Sequence, residues 1–311
     1  MEINVLLNKM VIFVALMLIG YFLARRGIIG PEFTRTASRL VLDVFMVGTI
    51  LSSMISTGAE RDLSDLGEIL ILTSVTTLIG YLVAAVFCRI VRIEADHAPV
   101  FEILMAVGNN MFIALPIANA IYGPYAVFIV SVSCIPFNIL LYSYGVWRLK
   151  DGNGKEEKGL RLRDMFSIPL IATLLGILII VTKIPVPTAL RDLFSALSGA
   201  TMPLSMMVIG SSLGTVSLTD AFRNPKLGLL SAMRLFVIPL ISWLVCRLIT
   251  SDPVLLMTCT IIAAAPCAVI VSVIAIQYGR DPIFSSEGVQ HSTICSIVTI
   301  PLLIKILSGL L

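Results

Sequence analysis

Long apolar runs constrain the fold of this chain more than any other feature of its sequence. Ten such runs, bounded by charges, Gly or Pro, lie near residues 4–24, 34–57, 67–91, 98–121, 125–148, 165–183, 189–215, 227–249, 254–277 and 284–310. Most are around 20 residues long, as helices that cross a hydrocarbon core require, whereas the strands of a membrane barrel are about 10 residues long and alternate. With 58% apolar and 13% charged residues, the composition also excludes an ordinary soluble domain. We therefore predict an all-α polytopic membrane protein with ten transmembrane helices.

The basic residues predict how these helices are oriented. Fifteen of the 22 Lys and Arg residues lie in the odd-numbered connections between runs, and four lie in the even-numbered ones. Short cytoplasmic loops collect Lys and Arg, so the odd-numbered connections are predicted to be cytoplasmic and both termini non-cytoplasmic. We expect a multi-pass protein of the cell membrane, inner or plasma. The net charge of +3 is too small and too dispersed to indicate a nucleic-acid partner.

The sequence offers little support for a metal site, a disulfide framework or an enzyme. All six cysteines fall in apolar runs without a CxxC pair, and the chain has only two histidines. No P-loop, no HExxH motif and no pair of membrane aspartates is present, so ATP-driven transport by this chain and a membrane-embedded enzyme are both disfavoured. We predict a protein that is not an enzyme and has no metal or cofactor.

Weak similarities between the two halves predict an internal repeat. Cys88-Arg89 and Cys246-Arg247 are 158 residues apart, and similar pairs occur in the same order in other runs. We assign residues 1–149 to a first five-helix repeat, 150–164 to a hydrophilic cytoplasmic linker, and 165–311 to a second repeat. Because five is odd, the second repeat must be inverted in the membrane.

Polar residues and prolines interrupt the fourth and ninth runs at corresponding places. The fourth contains Asn109, Asn110 and Pro116, and the ninth contains Pro266 followed by Cys267. A broken helix exposes N–H groups with partial positive charge, which suit a carboxylate at the membrane midplane. Paired broken helices are typical of transporter sites, so these residues are predicted to bind substrate. The alternative is an ordinary pair of proline kinks with asparagines that bond neighbouring helices.

Ionisable residues within apolar runs are functional candidates because their burial is costly. Asp43 in the second run is a candidate for proton or cation coupling, or for pairing with Arg234, and its replacement by Asn is expected to abolish pH-dependent flux. His291 in the tenth run is the second coupling candidate, with a packing role as the alternative. We expect Arg234 to extend to the cytoplasmic interface, and Glu102 to be interfacial.

Several of these segments resemble the auxin efflux carrier family of permeases, in order through nearly the whole chain. The resemblance is carried by GNNMFIALPIANAIYGPYAVFIVSVSCIPFNILLYSYGVW, ATMPL, MVIGSSL, APCAVIVSVIAIQYGRDP and STICSIVTIPLL. It implies the architecture of PIN-like carriers and bile-acid antiporters, with helices 4 and 9 broken and crossing at the substrate site. Helices 1, 2, 6 and 7 would form a scaffold and a homodimer contact, and helices 3–5 and 8–10 a moving transport unit. The short central loop is similar to that of bacterial members.

The resemblance also implies roles for particular residues. Asn109 and Pro116 match the family's asparagine and crossover proline in the fourth span, Pro266 matches the proline of the ninth, and Asn138 matches an asparagine of the fifth. Asp43 departs from the family pattern, which commonly has an aromatic or amide residue there. The function implied is elevator-type secondary transport of a small organic anion, such as malate, malonate or an auxin-like weak acid, with coupling to H⁺ or Na⁺ as an option. The alternatives are a cation/proton antiporter of similar architecture and a passive channel.

Overall fold

The protein is all-helical throughout the part of the chain that the structure describes. The computed structural model describes residues 3–57, 63–94, 97–150, 165–214 and 222–310, and within them the only extended pairing is one isolated bridge. The first six helices are α1 (Ile3–Arg25), α2 (Pro31–Thr57), α3 (Leu63–Val91), α4 (Ala98–Ala106), α5 (Asn110–Tyr122) and α6 (Pro124–Lys150). The others are α7 (Ile168–Thr182), α8 (Thr188–Gly214), α9 (Pro225–Arg247), α10 (Pro253–Ala264), α11 (Val269–Gln277) and α12 (Pro282–Ser308).

Seven of these helices are long and apolar enough to cross a membrane: α1, α2, α3, α6, α8, α9 and α12. Three shorter helices, α5, α7 and α10, are also apolar. Large apolar side chains cover the outside of the molecule, and Leu248, Ile90 and Val298 are 87%, 73% and 68% exposed. Such an exterior is unfavourable in water but suits lipid. The fold is therefore that of a polytopic membrane protein, as the sequence predicts.

The fourth and ninth apolar runs each form two helices rather than one. α4 and α5 divide the fourth run, and α10 and α11 divide the ninth. α4 and α11 each contain nine residues and span about 14 Å, which is half of a hydrocarbon core. The breaks therefore lie deep in the protein. Residues 151–164 of the predicted linker lie outside the described residues.

Glycines allow α1 and α8 to pack with their backbones in direct contact. A Cβ at Gly20 would collide with the carbonyl of Met207, and one at Gly210 would collide with the carbonyl of Met17. A hydrophobic driving force between helices is weak in lipid, so close backbone approach and van der Waals contact hold them together. α2 packs against α7 and α8, and Thr49 and Thr201 join α2 to α8 with a hydroxyl pair 2.6 Å apart.

Wide π turns interrupt three of the long helices, each at a polar side chain. They span Val41–Phe45 in α2, Leu141–Gly145 in α6 and Met233–Val237 in α9, and contain Asp43, Tyr144 and Arg234 respectively. A fourth π turn, Asn110–Ala114, opens α5. In α5 and α9 a proline, Pro116 or Pro239, follows the turn closely, and its missing N–H leaves an ordinary helical bond unmade. Such turns re-aim side chains and are frequent at functional sites.

Candidate functional site

The two broken helices cross at their breaks and hydrogen bond to each other there. Gly108 and Cys267 form an isolated antiparallel bridge. The Asn109 N–H donates to the Pro266 carbonyl at 2.7 Å, and the Ala268 N–H donates to the Val107 carbonyl at 3.0 Å. Unwound backbone at membrane depth is tolerated only where such partners exist. The crossing therefore brings four helix ends together: the C-termini of α4 and α10 and the N-termini of α5 and α11.

The two N-termini at the crossing differ in how they are capped. Asn109 caps α5, because its Oδ1 accepts a hydrogen bond from the Phe112 N–H at 3.3 Å. Ala268 precedes α11 and supplies no side-chain cap. The next residue after Asn109, Asn110, is 7% exposed, and its Oδ1 has no hydrogen-bond partner. Ser272, in the first turns of α11, likewise has a buried hydroxyl without a partner. Polar groups at the crossing thus retain unused hydrogen-bonding capacity.

The two prolines occupy different places relative to the breaks. Pro266 lies within the break of the ninth run and supplies a carbonyl to the bridge. Pro116 lies after the break of the fourth run, buried in α5 beyond its π turn. The fourth run therefore opens at Val107–Asn109 rather than at its proline. Cys267 is fully buried, and its N–H donates to Ser292 Oγ of α12 at 3.0 Å.

Arg234 of α9 reaches into the crossing and hydrogen bonds to the ends of both broken helices. Its Nε donates to the Ala265 carbonyl at 2.8 Å, and its Nη1 donates to the Ala106 and Met105 carbonyls at 3.1 and 3.3 Å. Its Nη2 donates to the Ile262 carbonyl at 3.4 Å. The residue is 3% exposed, so the expected extension to the cytoplasmic interface is wrong. The free carbonyls at two helix ends offer the guanidinium closer partners than the interface does.

The absence of a side chain at Gly108 makes room for this guanidinium. A Cβ at residue 108 would collide with Nη2 of Arg234, and it would lie 3.2 Å from Oδ1 of Asn110. Arg234, Gly108 and the Asn110 amide therefore occupy one small volume. Because each of them is buried, electrostatic interactions there are only weakly screened.

α12 borders the crossing through Ser292 and its neighbour His291. His291 is 6% exposed, and its Nδ1 lies 2.7 Å from Ser231 Oγ of α9. The Phe222 ring packs on the imidazole, with the centroids 4.6 Å apart. His291 is thus one residue away from the side chain that binds the Cys267 N–H.

The structure places Asp43 and Asn138 differently from the crossing residues. Asp43 is exposed on the π turn of α2, which packs against α7 and α8, and Arg234 bonds to carbonyls instead of to Asp43. Asn138 is buried in α6, and its Nδ2 donates to the Cys134 carbonyl of the same helix at 2.7 Å. The Cys134 thiol in turn contacts the Met111 sulfur of α5 at 3.8 Å. Asn138 therefore lies one turn from a residue that touches α5.

A buried ion pair joins α4 to α6 on one side of the crossing. Glu102 is 3% exposed and accepts hydrogen bonds from Arg148 Nε at 2.9 Å and from the Tyr144 hydroxyl. The Tyr144 ring makes an edge contact with Tyr81 of α3, with the centroids 5.6 Å apart. Glu102 was expected at the interface, yet its side chain is enclosed by protein.

The sequence predicted Asn109, Asn110, Pro266 and Cys267 as site residues, and the structure brings them together, but the sequence did not predict the contacts of Arg234. A basic residue eight positions into an apolar run, five before Pro239, was the available signal. This position did not indicate that the side chain is buried, because long basic side chains near a span's end usually extend to the interface. Which carbonyls are free depends on breaks in two other helices.

Comparisons with known proteins indicate membrane transport. A family model described as "Membrane transport protein" matches residues 5–304. An uncharacterized transporter of Methanothermobacter thermautotrophicus is 25% identical over 290 residues, which cover 92% of this chain and 93% of the relative. An uncharacterized transporter of Methanocaldococcus jannaschii is 25% identical over 223 residues, which cover 68% and 70% of the two chains.

Proposed function

The chain belongs to the membrane transport protein family, to which the auxin efflux carriers belong, and on that premise we propose that it is a secondary transporter of a small organic anion. The observation that carries the proposal is the crossing of two broken helices, with the N-termini of α5 and α11 at the bridge between Gly108 and Cys267. Helix N-termini bind carboxylates through free N–H groups and a partial positive charge. Arg234 adds a full positive charge, which disfavours a bound cation at the same place.

Asn109, Asn110, Pro266 and Cys267 would form the substrate site, with Pro116 behind it in α5. Asn109 and Pro266 hold the two breaks together, and Asn110 offers an amide whose Oδ1 is unpaired. Amide N and O atoms are distinguished by their hydrogen-bond partners, so this amide can present either a donor or an acceptor to a ligand. Asn138 would act more distantly, through Cys134 and Met111.

We propose that the fold consists of two inverted five-helix repeats with ten membrane crossings. α4 with α5 and α10 with α11 would be equivalent crossings, broken at equivalent places. α1, α2, α7 and α8 would form the scaffold, which is also the proposed homodimer surface, and the remaining helices the transport unit. A small apolar cavity of about 30 Å³ lies between the two groups, lined mainly by Met10, Met17, Ile113, Met206 and Ile300. Apolar side chains that slide past one another suit an elevator motion, since no polar bond is lost there.

Coupling to protons or sodium ions is a separate part of the proposal. His291 is buried next to the crossing, whereas Asp43 is exposed on α2, so the placement favours His291. We therefore expect His291→Gln to flatten the pH dependence of flux and, in place of the expectation from the sequence, Asp43→Asn to leave it unchanged. The reverse result would assign coupling to Asp43.

Counterflow in proteoliposomes tests the proposed transport. Vesicles loaded with malate, malonate, succinate or indole acetate are given the labelled acid outside, with and without a pH gradient. Saturable exchange that is lost in Asn109→Ala supports a carrier with its site at the crossing. Unsaturable flux would indicate a channel, and sodium or proton flux without exchange of any acid would indicate a cation/proton antiporter.

A further inference from the structure

We propose that Arg234 is a positioning residue that sets the charge of the crossing, so that the site is balanced by a single negative charge. This inference rests on the proposed function and narrows it to monocarboxylates, or to acids that bind with one ionised carboxylate. It follows from the hydrogen bonds of one guanidinium and from the four helix ends around it.

Arg234 uses four of its five N–H groups on the C-terminal carbonyls of α4 and α10. The acceptors are Met105 and Ala106 on one helix and Ile262 and Ala265 on the other. A guanidinium has five donors in a rigid plane, so one N–H of Nη2 remains. Nη2 is the nitrogen that lies against Gly108, at the bridge itself. The side chain therefore joins two helix ends and keeps one donor at the crossing.

The partial charges of the helix ends, summed with the charge of Arg234, give the net charge at the crossing. Each helix terminus behaves as roughly half an elementary charge, negative at the C-terminus and positive at the N-terminus. The single positive charge of Arg234 therefore neutralises the two C-termini that it binds. The N-termini of α5 and α11 remain, and together they amount to about one positive charge. One carboxylate at the bridge would neutralise them.

Among the described residues, Glu102 is the only buried acid, and it does not alter this balance at the crossing. All hydrogen bonds of Arg234 within the described residues go to carbonyls. Glu102, the buried acid on α4, is neutralised by Arg148 at 2.9 Å. A second carboxylate on the substrate would thus be buried without a counter-charge, which is strongly unfavourable.

The test compares acids of equal chain length that carry one or two charges at neutral pH. The pairs are butyrate with succinate and propionate with malonate. In counterflow with the full-length protein and its variants, we measure how strongly each acid inhibits exchange of the same labelled acid. Wild type is expected to bind the monocarboxylate of each pair at least about tenfold more tightly, the effect of one unpaired buried charge being at least that large. Equal affinities, or a preference for succinate and malonate, would overturn the inference.

Variants at Arg234 separate its charge from its shape. Arg234→Gln is expected to raise the KM for butyrate by about tenfold or more, as loss of a charged partner does. Unlike Arg234→Gln, Arg234→Lys should keep the wild-type preference for acids with one negative charge. Its affinity should still be lower than that of wild type, because an ammonium lacks the planar fork of a guanidinium. Arg247→Gln removes an exposed positive charge from the same helix and is the matched control.

The outcomes distinguish this inference from the proposed function. If wild type exchanges acids and Arg234→Gln keeps the wild-type KM and charge preference, the role of Arg234 is refuted and the transport function stands. A lower maximal rate in Arg234→Lys with no change in charge preference or KM would also refute it, because that pattern indicates a merely structural role. If wild type exchanges no acid at all, both are refuted.

Discussion

At the scale of single residues, the charges inside this protein are bound to specific partners. Glu102 is enclosed between Arg148 and Tyr144, and Arg234 is enclosed between two helix ends. A charge within a membrane protein is tolerated only with such partners. Removing one partner is therefore expected to cost far more than removing both.

The Glu102 pair gives the first prediction. Arg148→Met leaves the Glu102 carboxylate buried without its counter-charge and is expected to lower the free energy of unfolding by about 3 kcal/mol. The double variant Glu102→Gln with Arg148→Met should recover most of that loss, since no buried charge remains and the amide still accepts from Tyr144. Reversible unfolding of the purified protein in mixed micelles measures both. Additive losses in the double variant would contradict the prediction.

The sequence could identify the residue types of the site but not all of their partners. Asn109, Asn110 and Pro266 stand out because polar residues and prolines are conspicuous within apolar runs. Arg234 and Glu102 stand out equally, yet both were expected at the interface and both are buried. Their partners are carbonyls and side chains on helices far away in the chain, 128 residues away for the Ala106 carbonyl. A single sequence does not specify which groups become free at a distant break.

At the scale of elements, close contact between α1 and α8 depends on glycines on both helices. Gly20 lies against Met207, Gly210 lies against Met17, and Gly214 lies against Tyr21. Because the contacting atoms are backbone, they cannot rotate away from an added methyl group. Small residues at such positions let helices approach closely in lipid.

Gly210→Ala is therefore expected to separate α1 from α8 and to destabilise the protein by about 1–3 kcal/mol, the usual cost of overpacking. Gly199→Ala is the matched control on the same helix, because a Cβ there meets nothing within 4 Å. The control should be neutral or slightly stabilising, as Ala favours helix. Thermal unfolding in detergent compares the two variants. Equal Tm values would show that α1 and α8 adapt to the added methyl group.

Element boundaries were predictable where they depend on local chemistry. Charges, Gly and Pro marked the ends of the ten apolar runs, and Gly108 with the asparagines marked the break in the fourth run. Pro116 was less informative, because the structure accommodates it beyond a π turn and opens the helix earlier. The π turns themselves depend on partners from other helices: Thr201 of α8, for example, binds the Phe45 carbonyl that ends the turn of α2.

At the scale of the whole molecule, ionisable side chains join three connections on one face. Lys226 at the start of α9 binds Glu94 after α3 at 2.9 Å, and His97 lies 3.8 Å from Asp281, which caps α12. The hydrogen bond and charge of Lys226 lower the pKa of Glu94. These residues lie in three connections that the basic residues predict to be cytoplasmic.

The Glu94–Lys226 pair predicts a small pH dependence of stability. Because the pKa of Glu94 is lower in the folded state, the pair stabilises the fold above the ordinary glutamate pKa, and this contribution is lost as pH falls through the folded value. Lys226→Met should therefore lower Tm near neutral pH, and its difference from wild type should vanish in acid or in high salt. The effect should be small because Glu94 is 68% exposed. A difference that persists unchanged in acid would contradict it.

The orientation of the whole chain gives the last prediction. All six native cysteines are unpaired, and five of them are buried, so a cysteine added to an exposed loop can be labelled against a low background. Arg26→Cys, after α1, and Ser251→Cys, between α9 and α10, are both exposed and lie in connections predicted to face opposite sides. An impermeant maleimide applied to intact cells should label Ser251→Cys, and should label Arg26→Cys only after permeabilisation. Inverted membrane vesicles should give the reverse pattern. Labelling of both variants from one side would mean that an even number of membrane spans separates the two loops. A span would then have been gained or lost between them, as in a protein with nine or eleven spans, and two inverted five-helix repeats would be refuted.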